Sequence, residues 1–258
     1  MNNNKPIGIF DSGIGGTSIW REIHHLLPDE QTIYLADSKN APYGQKSKNE
    51  IIALCMKNTD LLLQMDCKLI VVACNTATTN AIKELRAKYE VPFIGIEPAI
   101  KPAALNSKTQ KIGILATQGT LISELFNKTA EQFHTTKILE QVGHGLVQLI
   151  EKGQINSPAM TELLHSYLQP MIAADIDYLV LGCSHYPYLI PQIKKILPDH
   201  IHIIDSGQAV ARQTQNLLNK EVGFTNLKNS KPVFYTNTDS TVLKEILKNE
   251  YEVIEKDF

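Results

Sequence analysis

Short, almost unbroken apolar runs recur along this chain, each separated from the next by a longer stretch of helical periodicity. Ile7–Phe10, Thr32–Leu35, Leu69–Ala73, Ile112–Leu115, Tyr178–Leu181 and Ile201–Ile204 are rich in β-branched residues and leucine. Runs without polar alternation mark strands covered on both faces, the pattern of parallel sheets. Between them, Ser47–Gln64 places Ile51, Leu54, Cys55 and Leu62 on one helical face, and Ser47 with Glu50 makes a capping-box signature. A second helix is expected after Pro158, with Leu163, Leu164, Tyr167 and Leu168 on its apolar side. Strands alternating with helices require right-handed crossovers, so an α/β fold with mainly parallel sheets is expected. Ligands of such sheets bind outside the carboxyl ends of the strands, and the residues that follow each run therefore carry most of the functional information.

The runs also echo one another. Lys5-Pro-Ile-Gly-Ile-Phe10 returns as Gln110-Lys-Ile-Gly-Ile-Leu115, Thr32-Ile-Tyr-Leu returns loosely near Thr136-Lys-Ile-Leu, and Ile70-Val-Val-Ala-Cys-Asn-Thr76 returns as Leu179-Val-Leu-Gly-Cys-Ser-His185. Cys74 lies 67 positions after Ile7, and Cys183 lies 71 after Ile112. This spacing predicts two pseudo-symmetric α/β lobes, each ending a central strand in cysteine. At 258 residues, 43% of them hydrophobic, there is ample material for such a core. Lys and Arg number 25 against 27 Asp and Glu, so no basic excess points to nucleic acid or an anionic membrane. The start, Met-Asn-Asn-Asn-Lys, is polar, and no apolar run approaches the roughly 20 residues of a membrane span. A cytoplasmic location is expected, where the cysteines remain thiols.

Cys74 and Cys183 each follow a buried run and precede a residue suited to a helix N-cap, Asn75 and Ser184. A thiol at a helix start feels unpaired amides and the positive end of the dipole, which lowers its pKa. Cys55, on an apolar helix face, and Cys67, just before a run, read as core. No Cys-x-x-Cys pair occurs, so no metal is expected. Asp11-Ser-Gly-Ile-Gly-Gly16 partly matches a dinucleotide loop with Asp37 as its distal acid, but Ser18 stands where the third glycine belongs. Gly13, Gly15 and Gly16 would still let amides converge on a carboxylate or another anion. Ala41-Pro-Tyr-Gly-Gln45 offers amides and a phenol, and Ala116-Thr-Gln-Gly-Thr120 supplies hydroxyls after the run that echoes the first. His185 either assists Cys183 or caps a helix; His24, His25, His200 and His202 read as surface or strand-edge residues.

Two alike thiols on two alike halves suit one reaction class. Inverting a carbon stereocentre without a cofactor takes a base on one face and an acid on the other, and the two exchange roles on the return. A thiol with a pKa near the working pH serves either way, and Asp11 and His185 beside the pair would set which one is ionised. A thiol-nucleophile amidohydrolase built on Cys183 and His185, or a two-lobed amino-acid-binding protein, remains an alternative. Neither explains the matched setting of Cys74.

Asp11-Ser-Gly-Ile-Gly-Gly16, Ala41-Pro-Tyr-Gly44, Ala73-Cys-Asn-Thr-Ala77, Ala116-Thr-Gln-Gly-Thr120, Gly182-Cys-Ser-His-Tyr-Pro187 and Asp205-Ser-Gly207, in this order, closely resemble the glutamate racemases of the aspartate/glutamate racemase family. The resemblance implies cofactor-independent, two-base interconversion of L- and D-glutamate, supplying D-glutamate for peptidoglycan. It implies Cys74 and Cys183 as the acid/bases, the first for the D- and the second for the L-enantiomer, assisted by Asp11 and His185. Substrate contacts implied are Asp11, Ser12, Tyr43, Gly44, Asn75, Thr76, Ser184 and His185. Glu151 resembles a further assisting acid, and Thr117 and Thr120 would line the pocket. The implied layout joins residues 1–97 and 208–258 in one lobe and 98–207 in the other, with the site in the cleft between them and a homodimer as the common assembly. The long leader of activator-dependent members is not expected. Three positions depart from the family pattern: Ser184 stands for threonine, Asn40 for arginine, and Ala99 for glycine. An aspartate racemase is the nearest rival.

Overall fold

Each apolar run becomes a strand in the computed structural model, which describes residues 3–258. The strands are β1 Ile7–Asp11, β2 Thr32–Ala36, β3 Leu69–Val72, β4 Phe93–Gly95, β5 Lys111–Ala116, β6 Lys137–Val142, β7 Tyr178–Gly182, β8 His202–Ile204, β9 Val233–Thr236 and β10 Glu252–Glu255. They form two sheets, ordered β10-β9-β2-β1-β3-β4 and β6-β5-β7-β8, and every pairing is parallel. The internal echo is visible in these orders. In chain sequence, the four strands β1 to β4 and the four strands β5 to β8 are laid down in the same spatial arrangement, second-first-third-fourth. Phe10 sits opposite Val72 in the first sheet as Leu115 sits opposite Leu181 in the second. Cys74 and Cys183 therefore occupy equivalent places, two residues beyond those partners.

The order reverses between β1 and β3, and again between β5 and β7, which opens a crevice at the carboxyl end of each sheet. The central strands are buried throughout, and this is why they read so plainly in the sequence. The strands not foreseen are edges or late additions. β6 and β10 mix charged and apolar residues and stay largely uncovered, β9 alternates, and β4 has three residues. Among the described residues, no helix is long and apolar enough to cross a membrane.

The expected helix over Ser47–Gln64 is present as Lys48–Gln64, with Ser47 as its N-cap and the reciprocal Ser47–Glu50 capping box formed. The helix after Ser157 runs Pro158–Ala173 and buries Leu164 and Leu168. The helix Thr17–Leu26 links distant parts of the chain through Trp20. Its Nε1 donates to Thr32 Oγ1 at 2.9 Å, and its ring stands edge-on to Phe234 of β9 at 4.7 Å. Removing that buried indole leaves a large cavity at the meeting of β2 and β9. Trp20→Ala is expected to cost about 3–5 kcal/mol, read as a lowered urea midpoint at unchanged slope.

The chain crosses between the sheets twice, and the crossings touch. Ser206 Oγ donates to the Glu97 carbonyl at 2.5 Å, and Asp205 Oδ1 accepts from the Gly207 amide at 2.7 Å at the start of the helix Gly207–Leu217.

Candidate active site

The helix-start argument holds for one cysteine only. Cys74 itself is the N-cap of the helix Asn75–Lys88, its Sγ accepting from the Ala77 amide at 3.4 Å; Asn75 is the first helical residue rather than the cap. After Cys183 the chain makes a 3-10 turn, Tyr186–Leu189, with prolines at 187 and 191, and no α-helix begins until Ile190. The expectation that Ser184 caps a helix is thus corrected: Pro187 lacks the amide that a regular first turn needs. Ser184 turns its hydroxyl to Asp11 instead, donating to Oδ1 at 2.9 Å. The methyl missing at position 184 leaves that contact intact.

The expectation of a lowered thiol pKa at Cys74 is corrected as well. Burial pushes this thiol up, and the nearby Asp11 charge adds to the rise, against hydrogen bonds from the Ala77 amide and with Ser12. Cys183 adds a last, smaller contribution in the same direction. Cys74 Sγ donates to Ser12 Oγ at 3.6 Å, and Cys183 Sγ lies 3.8 Å from His185 Nδ1. Both cysteines are buried. Cys55 and Cys67 pack into the apolar cluster behind the first sheet, and burial pushes Cys67 up to about 12.

Around Cys183 the polar groups form a continuous chain. His185 Nε2 meets Glu151 Oε1 at 2.5 Å, and its Nδ1 faces Cys183 and, at 3.4 Å, Ser184 Oγ. Burial opposes a charge on this imidazole, yet the contacts to Cys183 and Glu151 and the charge of Asp11 hold its pKa well above the ordinary histidine value. Burial pushes the Asp11 carboxyl above the usual carboxylate range, although the His185 charge and the Ser184 hydroxyl pull the other way. The site thus sets an imidazole whose charged form is favoured beside one sulfur and a buried carboxyl near the other.

Glu151 ends the helix Leu146–Glu151 of the second half and reaches into the first. Its Oε1 accepts from the Ile14 amide at 2.7 Å and its Oε2 from Ser38 Oγ at 2.8 Å. The Gly13 amide donates to Asp11 Oδ2 at 3.0 Å. The glycine-rich loop therefore does gather carboxylates, and they are the protein's own. A Cβ on Gly13 would lie 2.0 Å from Glu151 Oε1, and one on Gly15 would lie 2.1 Å from His185 Nδ1. The bare backbone here is what lets the two halves close on each other. The dinucleotide reading fails on the same ground, since Asp37 turns away from this loop to accept the Tyr43 hydroxyl at 2.5 Å.

The remaining residues gather at a second contact between the halves. Thr76 Oγ1 lies 2.7 Å from Thr117 Oγ1 and 3.3 Å from Thr120 Oγ1. Gly44 packs against Thr117 and Gly119. Asn75 is buried beside Cys74 in the chain, and neither its Nδ2 nor its Oδ1 has a hydrogen-bond partner. Such an orphaned amide is costly unless a ligand meets it. The Tyr43 phenol is not free as foreseen: it donates to Asp37 and accepts from Asn58 Nδ2 at 3.2 Å. Asn40 lends its Nδ2 to Asp37 Oδ1 at 2.7 Å. Ser38 is a partner of the site that local pattern does not reveal, since its contact with Glu151 spans 113 positions of sequence.

The raised His185 pKa has a consequence for stability. A histidine whose pKa is higher folded than unfolded stabilises fully below about pH 6.5, and that contribution is lost as pH rises through the folded value. Glu151→Gln removes a principal support of that charge. The difference in melting temperature between wild type and this variant is expected to be largest near pH 6 and to shrink on the alkaline side, as followed by calorimetry.

Paired strand-end thiols, a glycine loop holding two carboxylates and an orphaned amide accompany a clear kinship. The chain belongs to the Asp/Glu/Hydantoin racemase family, whose model matches residues 7–214. It is 50% identical over 208 residues to the glutamate racemase of Ralstonia pickettii (strain 12J), a match covering 80% of this chain and 74% of that one. Its fold is similar to that of Escherichia coli glutamate racemase, solved with L-glutamate and the activator UDP-MurNAc-ala, at a TM-score of 0.88 and 32% identity over 98% of each chain. The Francisella tularensis glutamate racemase solved with D-glutamate gives a TM-score of 0.86 at 26% identity, covering 99% of this chain and 97% of that one.

Proposed function

We propose that this protein interconverts L- and D-glutamate by two-base proton transfer, with Cys74 and Cys183 as the acid/base pair and no cofactor. One observation carries the reading: equivalent strand ends of two like halves present buried thiols, Cys74 against Ser12 and Cys183 against His185, and the Ser184 to Asp11 hydrogen bond ties the two ends together. In the L-to-D direction Cys183 takes the Cα proton and Cys74 delivers another to the opposite face, and the roles reverse on the way back. His185, held charged by Glu151, faces Cys183 and supports a sulfur anion there. Asp11, with Ser12, faces Cys74 and is the second assisting group. Preorganised charges in a closed, water-poor cleft act strongly on the developing carbanion because little solvent screens them.

Asn75 gives the substrate's α-carboxylate and ammonium a donor and an acceptor, and Thr76 and the backbone at Tyr43 and Gly44 complete the cradle, with Ser184, Thr117 and Thr120 on the facing wall. Losing a hydrogen bond to a charged group costs about 1.5–3 kcal/mol. Asn75→Ala is expected to raise KM for both enantiomers by about tenfold or more. A KM within twofold of wild type would remove Asn75 from the substrate's contacts.

The lobes, residues 1–97 with 208–258 and residues 98–207, move apart about the Ser206–Glu97 contact to admit substrate, since both sulfurs are covered in the closed form. The protein works in the cytoplasm as a homodimer and feeds D-glutamate to peptidoglycan synthesis. Sedimentation tests the dimer. Optical rotation tests the reaction: either glutamate enantiomer loses its rotation in the presence of enzyme, after dialysis against chelator as before it, and aspartate does so far more slowly. Constant rotation of glutamate contradicts the proposal, and faster loss with aspartate reassigns the substrate.

A further inference from the structure

The segment after β2 carries Tyr43 and Gly44, and it is fixed from an unexpected direction. Asp37 is fully buried, and its carboxylate is surrounded. Oδ1 accepts from Asn40 Nδ2 at 2.7 Å and from Asn237 Nδ2 at 2.6 Å, and Lys57 Nζ stands 3.7 Å away. Oδ2 accepts the Tyr43 hydroxyl. Asn237 lies just beyond β9, the strand next to β2, and its Oδ1 also accepts from the Lys39 amide at 2.9 Å. Lys57 projects from the helix Lys48–Gln64; its Nζ donates to the Phe258 carbonyl at 2.9 Å and lies over the Phe258 ring at 5.6 Å. Residues from the far end of the chain thus grip the substrate loop through one carboxylate. A buried carboxylate that loses its cation or its amide donors is left under-compensated and must shift, and Tyr43 moves with it.

We propose that Lys57 and Asn237 are positioning residues for substrate binding, acting through Asp37 on Tyr43 and thereby on the backbone that cradles glutamate. The inference deepens the racemase reading and rests on it for the identity of the ligand. It touches affinity rather than proton transfer, because neither side chain approaches a sulfur. Removing either grip lets the loop relax by a fraction of an ångström, which weakens binding in every step of the cycle alike. A loss shared by ground state and transition state appears in KM and leaves kcat alone.

The test uses Lys57→Met, Lys57→Arg and Asn237→Leu in the full chain, with KM and kcat from racemisation and Kd for D-glutamate from calorimetry. Lys57→Met and Asn237→Leu are expected to raise KM and Kd about tenfold with kcat within about twofold, and Lys57→Arg to restore both. Unchanged KM and Kd in the first two variants overturn the proposal, as does a fall in melting temperature with KM unchanged. A wild-type protein that binds glutamate without racemising it sinks the racemase reading, and Kd alone then decides the role of Lys57 and Asn237. A wild-type protein that binds no glutamate overturns both.

Discussion

Cys74→Ser and Cys183→Ser are each expected to lower kcat for racemisation by about 10³-fold or more in both directions. General acid–base catalysis contributes about 10²–10⁴, and a serine hydroxyl is too weak an acid to cycle through its anion at neutral pH. The substitution is close in volume, and each sulfur sits at a buried strand end with polar neighbours, so the fold tolerates it. One thiol without the other cannot complete an inversion. The double variant is therefore expected to be little worse than either single one, as happens when residues act as a unit. Full activity in either serine variant removes that thiol from the mechanism.

His185→Asn is expected to have the next largest effect, about 10²–10³ in kcat/KM. The imidazole is the only link between Glu151 and Cys183 among the described contacts, and it also places a positive charge opposite Asp11. Enantiomers have equal free energy, so the equilibrium constant of a racemisation is one whatever the variant. The losses in kcat/KM for L- and D-glutamate must then be equal, even though His185 touches only one of the two sulfurs. The individual kcat and KM values are free to change unequally, but on each side they must move together, so an unequal fall in kcat reports which bound enantiomer the imidazole holds differently in the ground state. A variant that keeps wild-type kcat/KM would make His185 a packing residue.

What the sequence disclosed, and what it withheld, follows from where each interaction lies. β1, β3, β5 and β7 are covered on both faces, so their composition announces them, and the echo around Cys74 and Cys183 announces their equivalence. The edges β6 and β10 have one free side and a mixed composition that looks like loop. Gly13 and Gly15 were legible as bare backbone but not as seats for Glu151 and His185, which arrive from the other half of the chain. Asp37 fitted an expected motif and proved to serve another end, gripping Tyr43 with help from Asn237, 200 positions away. Local pattern shows which residues end strands. It does not show how charges settle once two halves close: the helix start at Cys74 pointed to an acidic thiol, and burial with a neighbouring carboxyl reversed it.

That reversal gives the symmetric frame an electrical asymmetry. Burial and the nearby Asp11 hold the proton on Cys74, while Cys183 faces His185, whose pKa is raised well above the ordinary histidine value. The most direct measurement follows hydrogen isotopes early in the reaction from L-glutamate in heavy water. Two facing bases predict that the D-glutamate formed carries solvent deuterium at Cα while the L-glutamate still present keeps its protium. Deuterium appearing equally in both pools, or D-glutamate that retains the original protium, would contradict a mechanism in which Cys183 and Cys74 work from opposite faces.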